Sequence, residues 1–116
     1  MPEATIRTAV PGDIPEIVSM VVELAEFERA RADAIATEQD FEVALFGENP
    51  AVYAVISEVD GEVAGFALYF KNFSTWLGKH GLYLEDLYIR PAFRGQGVGA
   101  ALLSHLAGIC VENGFP

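Results

Sequence analysis

Residues 94–100, "RGQGVGA", combine a permanently charged side chain with three alternating glycines directly before a helix-forming stretch. Glycines leave backbone N–H groups uncovered, and a helix N-terminus carries the positive end of the helix dipole. Arg94 adds a planar fork of donors beside these amides. The pattern predicts a cradle for a phosphate or pyrophosphate. The alternative is a glycine turn needed only for tight packing of the strand against the helix.

Two other phosphate-binding motifs fit this segment poorly. The stretch "GQGVGA" satisfies the relaxed dinucleotide pattern G-x-G-x-x-A. That pattern belongs to a first βαβ unit and needs an acidic residue about twenty positions further on, where this sequence has already ended. The nucleoside-triphosphate loop requires a lysine after its glycines, and none follows here.

Carboxylates at two places could contact a cationic ligand. Glu28 falls at helical spacing from Val21 and Leu24, which places it at the end of an apolar stripe and facing a cleft. The equally weighted alternative is a frayed helix end in which Glu28 pairs with Arg31 at i+3.

Glu85 and Asp86 are neighbours in a strand-like segment. Consecutive strand residues point to opposite faces, so at most one of the two is expected to face the cleft, and Glu85 is the candidate. The alternative is an ordinary charge on a half-exposed strand.

Seventeen acidic residues against 7 basic ones give a formal net charge of −10. This balance repels nucleic-acid phosphates and anionic membranes and favours cationic small molecules, although it could serve solubility alone.

No uncharged apolar run of about 18 residues and no secretory signal is present, so a cytoplasmic location is expected. Cys110 stands alone and is expected to be a buried, unreactive thiol. No metal centre is expected.

The elements that position these residues follow the order β, α, α, β, β, β, α. The segment "ATIRTAV" is a strand, and the helix after it is expected to be capped by Asp13 with Glu16 three residues later. A second helix is capped by Thr37 and ends at Gly47.

The second half of the chain begins with a hairpin that turns at Asp60-Gly61. The segment "KNFSTWLGKHG" is predicted as a loop, "HGLYLEDLYI" as a strand, and 97–113 as a helix stopped by Gly114. Residues 1–116 therefore form one domain of the α/β (α+β) class, a mixed, mainly antiparallel sheet flanked by helices.

The pattern R-x-x-G-x-G, formed by Arg94, Gly97 and Gly99 after a strand, resembles the GNAT superfamily of acetyl-CoA-dependent N-acetyltransferases. The segments "ELAEFE" and "WLGKHGLYLEDLYIRPAFRGQGVG" are similar to its diamine (spermidine/spermine) acetyltransferase branch. The resemblance implies the GNAT fold and transfer of acetyl from acetyl-CoA, by direct attack, to a primary amine of a diamine, polyamine or lysine-like amino acid. A non-catalytic CoA-binding module or an inactive fragment is the alternative.

The resemblance also implies roles for individual positions. The backbone of Leu87, Tyr88 and Ile89 would pair with pantetheine as a pseudo-strand, and Phe27, Glu28 and Glu85 would line the amine site. Glu85 would accept the amine proton through water and so act as the catalytic residue. The CoA pyrophosphate would be wrapped by the consecutive amides of the glycine turn, from Arg94, Gly95, Gln96, Gly97, Val98, Gly99 and Ala100.

The sequence departs from the family pattern after "ENGFP", where the family has further strands and a tyrosine regarded as general acid. The fold is therefore expected to be C-terminally incomplete, with weak or absent activity for these residues alone. The strand "YLEDLYI" is expected to have a bare edge, and bare edges recruit partners. A homodimer is expected, as the resemblance also implies.

Overall fold

The computed structural model of the chain describes residues 4–115. The described residues form an antiparallel sheet with helices on both faces. The strands and helices, in chain order, are β1 (Thr5–Thr8), α1 (Ile14–Phe27), α2 (Glu38–Phe46), β2 (Tyr53–Val59), β3 (Glu62–Ser74), β4 (Lys79–Ile89) and α3 (Val98–Asn113).

The strands lie in the order β1-β2-β3-β4, and each neighbouring pair among the described residues is antiparallel. The strands β2, β3 and β4 therefore each pair with the strand before them in the chain. β4 lies at one edge, so the N–H and C=O groups on its outer side have no strand partner among the described residues. The predicted α/β fold, a sheet flanked by helices, is confirmed.

Two apolar layers separate the helices from the sheet. On one face, Ile17 and Met20 of α1 pack against Ile56 and Phe66 of the sheet, all fully buried. On the other face, α3 contributes its own buried side chains, including Leu102. Adjacent strand residues alternate between the two layers because successive side chains point to opposite faces. Each fully buried side chain of this size contributes about 1.5–3 kcal/mol.

The predicted ends of α2 and α3 are confirmed. Thr37 accepts the backbone N–H of Asp40 at 3.2 Å, and the Asp40 carboxylate accepts the N–H of Thr37 at 2.8 Å, forming a capping box. Gly97 and Gly114 flank α3 in left-handed conformations, with φ of +80° and +69°. A side chain at either position would be strained.

The predicted cap of α1 is wrong. Asp13 lies at the right position, but its backbone is already helical, and its carboxylate accepts instead from Arg7 and from the N–H of Val10. One of the two amides that a cap normally serves is also missing, because Pro15 has no N–H. Glu16, the expected partner in the capping box, contacts Arg90.

The predicted loop at 71–81 is also wrong. β3 continues to Ser74 and β4 begins at Lys79, which leaves a turn of four residues at 75–78. Stacking of Phe70 on Tyr83, with ring centroids 4.8 Å apart, stabilises the extended pair. The polar residues that suggested a loop lie instead in the exposed end of the β3–β4 hairpin.

Candidate active site

A β-bulge interrupts β4 where the acidic pair lies. Leu68 of β3 pairs with Asp86 and the next residue, Tyr69, pairs with Leu84, so Glu85 is the extra residue without a partner. Bulges of this kind re-aim side chains and locally disturb the ladder. Glu85 and Asp86 consequently line the same groove, and the expectation that they face opposite sides of the sheet is wrong.

We call this depression, of about 290 Å³, the carboxylate groove. It lies between α2 and the α1/α2 face of the sheet, and its walls are mainly apolar. Its lining residues are Ala36, Asp40, Phe41, Ala44, Val52, Leu68, Glu85 and Asp86.

Asp86 is the partly buried member of the pair, whereas Glu85 is exposed. Burial raises the pKa of the Asp86 carboxyl, and the negative charges of Glu85 and Glu28 raise it further. Among the described residues, no arginine, lysine or histidine forms a salt bridge with Asp86. Sequence reasoning had set Asp86 aside in favour of Glu85.

Phe27 is the last residue of α1 and Glu28 follows it, and both are exposed. Glu28 does not pair with Arg31, whose guanidinium approaches Glu26 instead at 4.0 Å. Glu28 and Asp86 line a second depression of about 200 Å³, which we call the α1 groove. The remaining lining residues of this groove are Val21, Leu24, Ala25, Ala30, Asp33 and Ala34.

A third depression, of about 370 Å³, runs along the outer edge of β4, and we call it the edge groove. It is lined by the segment 87–89 together with Leu24, Phe27 and Arg94. The guanidinium carbon of Arg94 lies 5.1 Å from the centre of the Phe27 ring and 5.5 Å from that of Tyr88. Its Nε donates to the carbonyl of Ile89 at 2.9 Å, so the charge is fixed beside the β4 edge.

The glycine turn has the local features that a pyrophosphate requires. Gly95 and Gly97 both have positive φ, and added Cβ atoms there would project into open space. No side chain among the described residues caps the first turn of α3, and that turn contains no acidic residue. The Val98 side chain is buried in the core, so this residue presents only its backbone to the turn. The N-terminal amides of α3 are thus available for an anion.

Behind the edge groove lies a polar contact network that sequence reasoning missed. Glu23 of α1 accepts from the Tyr88 hydroxyl at 3.1 Å and from Nε of Arg90 at 3.2 Å. Arg90 also contacts Glu16 at 2.6 Å. The available signal was the spacing of Glu16, Ser19 and Glu23 at i, i+3 and i+7, which places three polar residues on one face of α1.

Within residues 4–115, no group of His, Cys, Asp and Glu side chains has the arrangement of a metal site. Cys110 is partly buried and forms no disulfide. None of the described helices is both long and apolar enough to cross a membrane.

Comparison with curated proteins finds acetyltransferases of cationic amines. The chain is 34% identical over 122 residues to the thialysine N-epsilon-acetyltransferase of Sus scrofa, an alignment covering 98% of the chain and 71% of that protein. It is 38% identical over 115 residues to the spermidine/spermine N(1)-acetyltransferase-like protein 1 of Homo sapiens, covering 93% of the chain and 16% of that protein. The resemblance to the diamine acetyltransferase branch is confirmed.

Solved structures show the same fold. A possible acetyltransferase from Clostridium difficile 630 superposes with a TM-score of 0.81 at 23% identity, over 95% of this chain and 74% of that one. An integron cassette protein from the mobile metagenome of Cole Harbour Salt Marsh gives 0.80 at 27% identity, over 96% and 72%. The family described as the acetyltransferase (GNAT) family, whose members use acetyl-CoA, matches residues 17–116. The family match and the curated relatives agree with the edge groove and the glycine turn described above. The chain belongs to the GNAT acetyltransferase family.

Proposed function

We propose that the chain transfers the acetyl group of acetyl-CoA to a primary amine of a small cationic substrate, a diamine, polyamine or lysine-like amino acid. The observation that carries this proposal is the continuity of the three grooves. The carboxylate groove and the α1 groove share Asp86, and the α1 groove and the edge groove share Leu24. A cation bound among the carboxylates therefore lies next to the edge where the cofactor is expected.

On the cofactor side, acetyl-CoA supplies the thioester carbonyl that the amine attacks. The backbone amides of 94–100 hold its pyrophosphate, and Arg94 adds a fixed positive charge. The unpaired outer edge of β4 at 87–89 offers N–H and C=O groups to the amide-containing pantetheine arm.

On the amine side, three carboxylates act on a ligand that arrives as an ammonium ion. Glu85 accepts the proton of the reacting amine through water, and Glu28 and Asp86 bind the remaining positive charge. The apolar walls of the α1 groove suit the methylene chain between two amines. The thialysine and spermidine/spermine enzymes among the relatives support this substrate class.

The test is release of CoA thiol from acetyl-CoA in the presence of a panel of amines. We expect spermidine, a diamine and a lysine analogue to be acetylated better than an arylamine. CoA binding by calorimetry without thiol release from any amine would identify a non-catalytic CoA-binding module instead. A preference for arylamines would contradict the proposed substrate class.

Glu85→Gln tests the proton acceptor. We expect kcat to fall about 10²-fold or more while CoA affinity stays within about twofold, because an amide cannot take the proton. Glu62→Gln is the matched control, since Glu62 is an exposed strand residue that lines none of the three grooves. Equal kcat values for the two variants would remove Glu85 from the chemistry.

We also propose that the chain forms a homodimer. The outer edge of β4 before the bulge, at 79–84, has no strand partner among the described residues, and the β3–β4 hairpin exposes Phe73, Trp76 and Leu77 at 56%, 96% and 61%. Exposed edges and apolar clusters of this kind favour association. Sedimentation velocity at micromolar concentration measures it, and a species of single-chain mass throughout would refute the dimer.

A further inference from the structure

Glu23 joins two elements that are far apart in sequence. Its Oε1 accepts from the Tyr88 hydroxyl at 3.1 Å, and its Oε2 accepts from Nε of Arg90 at 3.2 Å. Both oxygens of the carboxylate are therefore occupied by residues at the end of β4. Neither Glu23 nor Arg90 lines any of the three grooves.

Arg90 extends the contact over the first half of α1. Its Nη1 contacts Glu16 at 2.6 Å and the carbonyl of Val63 at 3.4 Å, and its Nη2 donates to Ser19 at 3.4 Å. The guanidinium thus holds two turns of α1 and the start of β3 against the end of β4. Charge-assisted hydrogen bonds in such a network fix geometry more firmly than neutral ones.

The same network reaches the edge groove through two aromatic rings. The Tyr88 ring is 5% exposed and forms part of the groove wall. Phe27 lies four residues after Glu23, one turn further along α1. The guanidinium of Arg94 rests between these rings at 5.5 and 5.1 Å. Both aromatic contacts of Arg94, and the Ile89 carbonyl that accepts from its Nε, therefore belong to α1 and the end of β4, the elements that Glu23 ties together.

We propose that Glu23 is a positioning residue for the cofactor: by fixing α1 and Tyr88 against the end of β4, it holds Arg94 and sets the width of the edge groove before CoA binds. This inference rests on the proposed function, because it assigns the edge groove to CoA. A groove held in its bound geometry loses less conformational freedom on binding, which appears as affinity.

Glu23→Gln tests the proposal with little change of shape. The amide oxygen can still accept from Tyr88, but the negative charge facing Arg90 is lost. We expect the Kd of CoA, measured by calorimetry, to rise roughly five- to tenfold, as for loss of one charged hydrogen bond. KM for acetyl-CoA should rise by the same factor, whereas kcat should stay within about twofold.

Glu26→Gln is the matched control. It makes the same charge change on the same helix, but Glu26 is exposed, with Arg31 at 4.0 Å, and takes no part in the network. Tyr88→Phe removes only the hydroxyl and keeps the ring beneath Arg94, so it should weaken CoA binding in the same direction by a smaller factor. Combined with Glu23→Gln, its effect should be less than the product of the two single effects.

A lower melting temperature with an unchanged Kd of CoA would make Glu23 a purely structural tie and overturn the inference. So would a fall in kcat with KM for acetyl-CoA unaffected. If Glu23→Gln does not fold, Tyr88→Phe provides the test, and native CoA affinity in that variant would also refute the inference. A native chain that binds no CoA refutes the proposed function and this inference together, whereas native binding with unaffected variants refutes the inference alone.

Discussion

Asp86 shows how a single residue at the site carries a cost in stability. Its pKa is raised by burial first and by the charges of Glu85 and Glu28 next. A carboxyl whose folded pKa lies above its unfolded value binds more protons when folded, so folding becomes less favourable as the pH rises from the unfolded pKa through the folded one. Above the folded pKa the ionised Asp86 carboxylate therefore opposes folding, at the place where a cationic ligand is expected.

We therefore expect Asp86→Asn to raise the free energy of unfolding at pH 7 and to lower kcat/KM for a diamine. The gain in stability should shrink as the pH falls through the raised folded pKa of Asp86 towards the unfolded one. Urea unfolding at several pH values measures the first effect, and thiol release the second. Glu62→Gln is the control for stability, because Glu62 is exposed and lines none of the three grooves. A variant less stable than the native chain at pH 7 would contradict this account of Asp86.

Gly97 is a residue where backbone conformation and ligand access act together. Its φ is +80° and no atom lies within 4 Å of an added Cβ, so a side chain there would meet strain but no clash within the chain. We expect Gly97→Ala to cost about 1–2 kcal/mol of stability. It should also raise the Kd of CoA at least about tenfold, because the methyl group would stand over the amides of the cradle.

Gly61→Ala separates these two effects. Gly61 has φ of +78° and equally open surroundings, but it lies in the β2–β3 turn. The same loss of stability with native CoA affinity is expected, measured by thermal melting and calorimetry. CoA affinity that falls equally in both variants would show that strain, and not access to the amides, explains the loss.

At the scale of elements, one ionic cluster fixes the start of α1 to the strands beneath it. Arg7 of β1 donates two hydrogen bonds to Asp13, at 2.7 and 2.8 Å, and a third to Glu58 of β2 at 3.0 Å. The Asp13 carboxylate, 6% exposed, also accepts the N–H of Val10. The hydrogen bonds from Arg7 are the largest cause that lowers the pKa of Asp13 below its usual range. The Asp13 carboxylate therefore does not cap α1; it joins the start of α1 to β1 through Arg7.

We expect Asp13→Asn to reduce the free energy of unfolding at pH 7 by about 2–3 kcal/mol. Because the folded pKa of Asp13 is depressed, its contribution is present above the unfolded pKa and is lost as the pH falls through the folded one. The difference between native and variant should therefore narrow under acid conditions. Denaturant unfolding measures it. Glu58→Gln is the control, and its partly exposed pair should be worth about 0–1 kcal/mol. Equal losses of unfolding free energy in the two variants would show that the burial of Asp13 does not strengthen its contact with Arg7.

Across the whole molecule, charge is unevenly distributed. Both lysines of the chain, Lys71 and Lys79, lie on the β3–β4 hairpin. None of the described basic residues lines the carboxylate groove or the α1 groove, whereas carboxylates line both. These carboxylates are Glu28, Asp33, Asp40, Glu85 and Asp86. The net charge of −10 thus includes an acidic surface at the grooves assigned to the amine. Such a surface raises the local concentration of cations and is screened by salt.

We expect kcat/KM for a dicationic amine to fall several-fold between about 50 and 300 mM salt, as the Debye length shortens. A monoamine of equal length is the control and should lose roughly the square root of that factor, since it carries half the charge. Steady-state thiol release at each salt concentration measures both. Identical salt dependence for the two amines would show that the acidic surface does not steer the substrate.

The elements and the glycine turn could be predicted from local patterns. The Asp60-Gly61 turn located the β2–β3 hairpin, and Thr37, Gly47 and Gly114 marked helix ends correctly, because the effects of these residues act within one turn of the chain. The contact between Glu23 and Arg90 joins residues 67 positions apart, and no local pattern reports such a distance. Asp13 failed as a cap although its partner Arg7 is only six positions away, because Arg7 belongs to another element and no helix-end pattern reports that contact.

The bulge is an intermediate case. Leu82 and Leu84 face α3, and so do Leu87 and Ile89. The spacing of three between Leu84 and Leu87 interrupts a period of two and was a visible sign of an inserted residue. Strict alternation across the bulge predicts that Glu85 and Asp86 lie on different faces, because it takes no account of the inserted residue.

The bulge also separates the two kinds of change that evolution can make at codon 85. A missense change replaces one side chain in the carboxylate groove and leaves the strand pairing as it is. An in-frame deletion closes the bulge, which would turn either Leu82 and Leu84 or Leu87 and Ile89 away from α3 and into the wrong layer. A point substitution at 85 therefore changes the groove and the proton acceptor proposed there without disturbing the strand pairing, whereas loss of a residue at 85 would misplace one pair of core leucine or isoleucine side chains.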